Sequence, residues 1–173
     1  MKIIFLDVDG VLNSLSFMHS QFLAGLWAKG DNETERDRNQ IDPASIELLN
    51  QIVKRVPDVK FVLSSTWRLH NKYRDGISFG RFLWLYFHFQ GQFVDATPQY
   101  SSRHKIENED ERGCEIQDWL DGKRKYSTLD QDIKFVILDD SSDMGALLPY
   151  LVRTSSKTGL QQEHVDEVVR RLQ

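Results

Sequence analysis

Three short apolar runs punctuate the chain: Ile3–Leu6, Phe61–Leu63 and Phe135–Leu138. None alternates apolar with polar residues. Unbroken runs of this length predict strands covered on both faces, as in a parallel sheet. Weaker strands are predicted at Phe93-Val94 and near Tyr150–Val152. Helical spacing fills the intervals. Asp42 and Pro43 have the character of an N-cap and a first helical residue, and Ile46, Leu49, Val53 and Val56 then recur on one face until Pro57. Ile116, Trp119 and Leu120 form a stripe before Gly122. Met144, Leu147, Leu148 and Leu151 form another, and Val165, Val168, Val169 and Leu172 mark a C-terminal helix. The alternation of strand and helix predicts an α/β fold, a Rossmann-like doubly wound parallel sheet with right-handed crossovers. Ligands of such sheets lie beyond the carboxyl ends of the strands. The three strong runs end there in Asp7, Ser64 and Asp139.

Two segments interrupt this pattern and are candidate lids, 14–40 and 69–111. The first begins with a helical stretch (Phe17, Met18, Phe22, Leu23, Leu26, Trp27) and continues as a polar loop, Gly30 to Gln40. The second holds the aromatic stretch Phe79, Phe82, Trp84, Tyr86, Phe87 and Phe89, then a charged loop from Gln99 to Glu111. The aromatics suit core or lid packing better than base stacking.

Composition narrows the class. The 173 residues suit a single domain spanning 1–173, and 40% hydrophobic residues suffice for one core. A charged fraction of 28% and a net charge of −4 exclude a disordered or strongly basic chain. Nucleic acid would need a local basic patch. The single cysteine, Cys114, excludes an intramolecular disulfide and reads as a buried structural thiol in a reducing compartment. No secretory h-region and no apolar run of about eighteen residues is present. A soluble cytoplasmic protein is expected, with no membrane association and no obligate protein partner.

The strongest chemical signal is Asp7-Val8-Asp9-Gly10-Val11, which follows the first buried run. Two carboxylates one residue apart, just past a strand end, can face one small pocket, and the glycine permits a sharp turn beneath a phosphate. Ser64-Ser65-Thr66-Trp67-Arg68 follows the second run and offers hydroxyls and amides for phosphate. Arg112 precedes a short helix, and Asp139-Asp140-Ser141-Ser142-Asp143 follows the third run.

These four elements, in this order, resemble the motifs of the haloacid dehalogenase-like (HAD) phosphohydrolases. More narrowly, Leu6 to Asn13, Ser64 to Arg68, Thr97-Pro98, Arg112 to Ile116, Leu138 to Asp140 and Gly159-Leu160 resemble the HAD domain of Swiss Army Knife RNA repair proteins. The resemblance implies a magnesium-dependent phosphatase in which Asp7 attacks phosphorus and forms an aspartyl-phosphate. Asp9 would serve as acid and then base. It implies Mg²⁺ between the substrate phosphate and the carboxylates of Asp7 and Asp140, with the backbone carbonyl of Asp9 as a further ligand. Asp139 is the alternative direct ligand, and Asp143 a supporting partner.

Ser64 is preferred over Ser65 as the motif hydroxyl because it comes first after the apolar run. Arg112, at a helix start, is preferred over Lys105 as the motif cation. Gly10, Asn13, Ser65, Thr66, Arg68 and Lys105 complete the expected substrate contacts. Arg68 could instead pair with an acidic neighbour, and Trp67 could simply pack beneath the site. Lys123-Arg124-Lys125 and Arg170-Arg171 read as solvated surface charge, and the histidines show no ligand spacing. The resemblance implies a phosphorylated nucleic-acid 3′ end as substrate, and the residues themselves add only scattered support, Arg68, Arg74, Arg81, Arg103 and Lys105 near the expected mouth. The alternatives are a 5′-nucleotidase or other small-metabolite phosphatase, and a non-catalytic phosphate- or nucleic-acid-binding module.

Overall fold

The computed structural model describes residues 1–26, 29–30, 32–99, 111–126 and 133–173, without the side chains of residues 123–126. Trp27, Arg103, Lys105, most of the 99–111 loop and the side chains of Lys123, Arg124 and Lys125 therefore lie outside the described residues.

The apolar runs form the strands they predict. Strands β1 (Lys2–Leu6), β2 (Val59–Leu63), β3 (Gln92–Ala96), β4 (Lys134–Asp139) and β5 (Leu151–Arg153) make one parallel sheet in the order β3-β2-β1-β4-β5. The order reverses between β1 and β4, the point where doubly wound sheets bind ligands. Pairing is in step across the centre, with Leu6 opposite both Leu63 and Leu138. The ladder continues one residue further. Asp7 N–H donates to Leu138 O at 2.9 Å, Ser64 N–H to Leu6 O at 2.8 Å and Thr97 N–H to Leu63 O at 2.9 Å. That register lines up Asp7, Ser64, Asp139 and Thr97 along one edge.

The continuous apolar character of β1 is explained by burial on both sides. Ile4 and Leu6 pack on one face with α3 (Pro43–Arg55), α4 (Ile77–Phe87) and α6 (Gln162–Leu172). Ile3 and Phe5 pack on the other with α5 (Glu111–Tyr126) and a 3-10 turn, Gly145–Tyr150. Each fully buried Leu, Ile or Phe contributes about 1.5–3 kcal/mol relative to exposure, so neither face is dispensable. Asp42 caps α3 by accepting from Ala44 N–H at 2.9 Å, with Pro43 at the first position.

Several expectations are corrected. Ile52, not Val53, completes the fully buried stripe of α3, and Val53 is half-buried. Gly30 to Gln40 is not wholly loop: Asn32 caps α2 (Glu33–Arg38) by accepting from Glu35 N–H. The helical stretch at its start forms α1 (Leu15–Leu23), which buries none of its residues. Helix α5 runs through Gly122 to Tyr126. The 144–151 stripe is a 3-10 turn leading into β5, and Leu148 faces solvent because the tighter coil rotates it off the core. Residues 77–96 supply α4 and β3 of the scaffold. Phe79, Phe82 and Phe89 are core, while Trp84 is exposed. Cys114 is half-buried rather than buried. No described helix is long and apolar enough to cross a membrane.

Candidate active site

The site begins where β1 stops. Val8 O gathers the N–H groups of Val11, Leu12 and Asn13 at 3.2, 2.8 and 3.3 Å, which curls the chain into a tight loop. Val8, Val11 and Leu12 are fully buried and anchor that loop in the core. Gly10 sits at φ +74°, and a Cβ there would lie 2.4 Å from the Asp140 carboxylate. Glycine is required twice over, by the left-handed backbone and by the approach of Asp140. The loop is also tied from behind: Thr154 Oγ1 donates to Gly10 O at 2.7 Å and Leu160 N–H to Val11 O at 3.0 Å.

Asp7 is 6% exposed and Asp139 fully buried. One oxygen each from Asp7, Asp139 and Asp140 lies within 4.8 Å of the others, which is the carboxylate group expected from the sequence. Burial, above all, pushes the Asp7 carboxyl up, against the opposing pull of Arg112 and a hydrogen bond from Ser65. Burial likewise raises Asp139, reinforced by the charge of Asp7. The two adjacent aspartates differ. Asp139 Oδ1 accepts from Ser141 N–H at 2.9 Å, while its Oδ2 is buried with no hydrogen-bond partner among the described residues.

Arg112 supplies the opposing charge. Its Nη1 lies 3.5 Å from Asp7 Oδ1 and 3.8 Å from Asp139 Oδ2, and it donates to Ser64 O. Burial pulls its pKa down, but Asp7 and Asp139 outweigh this and the net direction is up. Gly113 makes the placement possible. A Cβ there would meet Met144 O at 2.3 Å, and its N–H donates to Asp143 O at 3.0 Å, so the first turn of α5 abuts the loop after β4. Neither Gly113 nor Thr154 carries a sequence signal of its own, because their roles depend on which loops meet.

One guanidinium does not neutralise three carboxylates, and Asp139 Oδ2 is an orphaned buried acceptor. The donor set is all oxygen. This is the environment in which a hard divalent cation such as Mg²⁺ is favourable. The residues therefore fit the metal, with Asp7, Asp139 and Asp140 as its available carboxylates. The Asp9 carboxylate lies outside this group. It accepts from Asn13 Nδ2 at 2.8 Å and from Trp67 Nε1 at 3.3 Å.

Four of the expected phosphate contacts are assigned differently. The Ser65 hydroxyl, not that of Ser64, is hydrogen-bonded to Asp7. Ser64 still belongs to the β2 ladder, so alternation carries its side chain with Val62 toward the α5 face, and its hydroxyl is buried without a hydrogen-bond partner among the described residues. Arg68 is 7% exposed and turns inward, with Nη2 2.5 Å from Glu115 Oε2 and Nη1 2.5 Å from Ser65 O. It pairs with an acidic neighbour, the alternative the sequence left open, and also holds the Ser65 carbonyl. Asn13, 2% exposed, accepts from Gly10 N–H and donates to Asp9, so it braces the loop and uses up the glycine N–H as well. Among the described residues of this set, Thr66 alone is exposed.

Thr66 separates two cavities. One, of about 160 Å³, is bordered by Arg112, Glu115 and Asp143; the other, of about 270 Å³, by Asp9, Trp67, His70, Gln40 and Asp37.

Comparison with known proteins agrees with this geometry. A family model described as the HAD domain in Swiss Army Knife RNA repair proteins matches residues 3–165. No curated protein and no solved structure matches the chain.

Proposed function

The chain belongs to this family of HAD-type phosphatases, and from that premise we propose that it is a Mg²⁺-dependent phosphomonoesterase that works through an aspartyl-phosphate on Asp7. The observation that carries the reading is the seat of Asp7. Its carboxylate ends the central strand, 3.5 Å from a half-buried arginine and grouped with Asp139 and Asp140. An anionic nucleophile repels an anionic ester. Arg112 lowers that repulsion, and Mg²⁺ held by Asp7, Asp139 and Asp140 would add Lewis-acid charge at the same place.

An oxygen of Asp7 bonds phosphorus as the bond to the leaving oxygen breaks. Asp9 donates its proton to that oxygen. It then takes a proton from the water whose oxygen displaces Asp7 from phosphorus. Ser65 holds Asp7 in place by its hydrogen bond, and Arg112 binds phosphoryl oxygens while remaining charged.

The family description names RNA repair, and from it we infer a polynucleotide 3′-phosphate as substrate. The cleft beside Asp9, about 270 Å³, has room for a small leaving group and so supports a second reading, a nucleotide or small-metabolite phosphatase. Phosphate release from a 3′-phosphorylated oligonucleotide and from free mononucleotides, each with Mg²⁺, separates the two. Preference for the oligonucleotide, with rates falling steeply in salt, supports end repair. Preference for mononucleotides supports the second reading, and binding without turnover overturns both.

A further inference from the structure

Asp9 is held through one oxygen, and the hydrogen bonds around it determine where its proton can be. Asn13 Oδ1 accepts from the backbone N–H of Gly10 at 3.0 Å. A backbone N–H only donates, so the orientation of the Asn13 amide is decided, and its Nδ2 must donate to Asp9 Oδ1, 2.8 Å away. The second contact on that same oxygen comes from Trp67 Nε1 at 3.3 Å, and an indole N–H is likewise a donor only. Two obligate donors thus converge on Oδ1. A proton there would confront both of them. Oδ2 has no such contact among the described residues.

We propose that Trp67, together with Asn13, is a positioning residue that confines the transferable proton of Asp9 to Oδ2. The proposal rests on the reading of Asp9 as acid and base. In the first step the Oδ2 proton passes to the leaving oxygen as its bond to phosphorus breaks and the Asp7–phosphorus bond forms. In the second, a proton of the attacking water returns to Oδ2 as the Asp7–phosphorus bond breaks. Oδ1 stays an acceptor throughout and keeps the carboxyl from rotating.

The indole is itself clamped. It stacks on Tyr73 with ring centroids 6.0 Å apart and planes at 24°, and meets Phe79 edge-on at 5.7 Å. Trp67 is buried, 7% exposed, and lines the cleft that also holds Asp9. The hydrophobic cluster below therefore aims an N–H at the acid above.

Trp67→Phe keeps an aromatic ring in the stack and removes the N–H. Hydrolysis of an alkyl phosphate, whose leaving oxygen needs the proton, is compared with that of an aryl phosphate, whose leaving group needs it less. The alkyl-to-aryl rate ratio is expected to fall roughly tenfold, a fraction of the full general-acid effect. A purely structural role for Trp67 lowers both rates together, and an unchanged ratio overturns the proposal. Should Trp67→Phe fail to fold, the Asp9→Ala protein provides the second measurement. Among the four tryptophans, one indole N–H resonance is expected to move upfield as its acceptor is lost, and no such movement overturns the proposal. Failure of the underlying reading looks different: an Asp9→Asn protein with undiminished turnover of the alkyl phosphate removes Asp9 from the reaction altogether.

Discussion

The two sides of the catalytic edge are held by different forces. On the α5 side, charge dominates: Arg112 with Asp7 and Asp139, and the buried Arg68–Glu115 pair behind them. On the Asp9 side the groups that touch the acid are neutral donors, Asn13 and Trp67, backed by the stacked ring of Tyr73, whose hydroxyl donates to Asp37 at 2.7 Å. Lys72 closes this side by reaching Asp37 at 2.6 Å, which staples α2 to the aromatic cluster. The difference teaches a division of labour. Excess negative charge prepares one side for a cation and a phosphoryl group. Directional hydrogen bonds on the other aim a carboxyl group without disturbing that charge.

Four measurements test this contrast. The largest effect is expected for Asp7→Asn, which removes the nucleophile and lowers kcat by roughly 10⁴-fold or more in a phosphate-release assay. Retained turnover would remove Asp7 from the mechanism. Next, Glu115→Gln leaves Arg68 charged and buried, both partners being under a tenth exposed. A loss of about 3–5 kcal/mol in chemical denaturation is expected. A loss below 1 kcal/mol would mean that the pair is not buried in solution.

The third concerns metal and pH. Asp7 is raised to about 6 and Asp139 to about 7, both chiefly by burial. Folded-state values above the unfolded ones favour the protonated fold. Their stabilising contribution is full below the ordinary carboxylate range and is lost as pH rises through about 6 and about 7. The metal-free protein is therefore expected to melt lower near pH 8 than near pH 5, on account of these groups. Added Mg²⁺ then raises Tm by several degrees at about pH 8 and by little at about pH 5, where protons occupy its ligands. A Tm gain independent of pH would place the cation elsewhere. The smallest effect is expected from Tyr73→Phe, which removes one hydrogen bond to Asp37 and costs about 1–3 kcal/mol. A larger loss than for Glu115→Gln would reverse the contrast between the two sides.

The strands and the positions of Asp7, Asp139 and Asp140 were legible because the signal is local: an unbroken apolar run, then acids at its end. The C-terminal helix was legible for the same reason, through the spacing of Val165, Val168, Val169 and Leu172. Arg68 was not. A basic residue after a serine-rich strand end invites a phosphate, and only the packing of α5 brings Glu115 to it. Ser64 and Ser65 were equally open, since the choice depends on where the β2 ladder ends.

Residue pattern alone, then, is enough for the fold class and for the acids at the strand ends. Each follows from residue type and short-range spacing, which backbone geometry converts directly into strands, helices and strand ends. Only the tertiary structure decided how those groups are partnered: Arg68 turned inward to Glu115, Ser65 on Asp7, and Trp67 with Asn13 on a single oxygen of Asp9. Those contacts join residues tens of positions apart, and their hydrogen bonds depend on ångström-scale distances that a linear pattern does not carry.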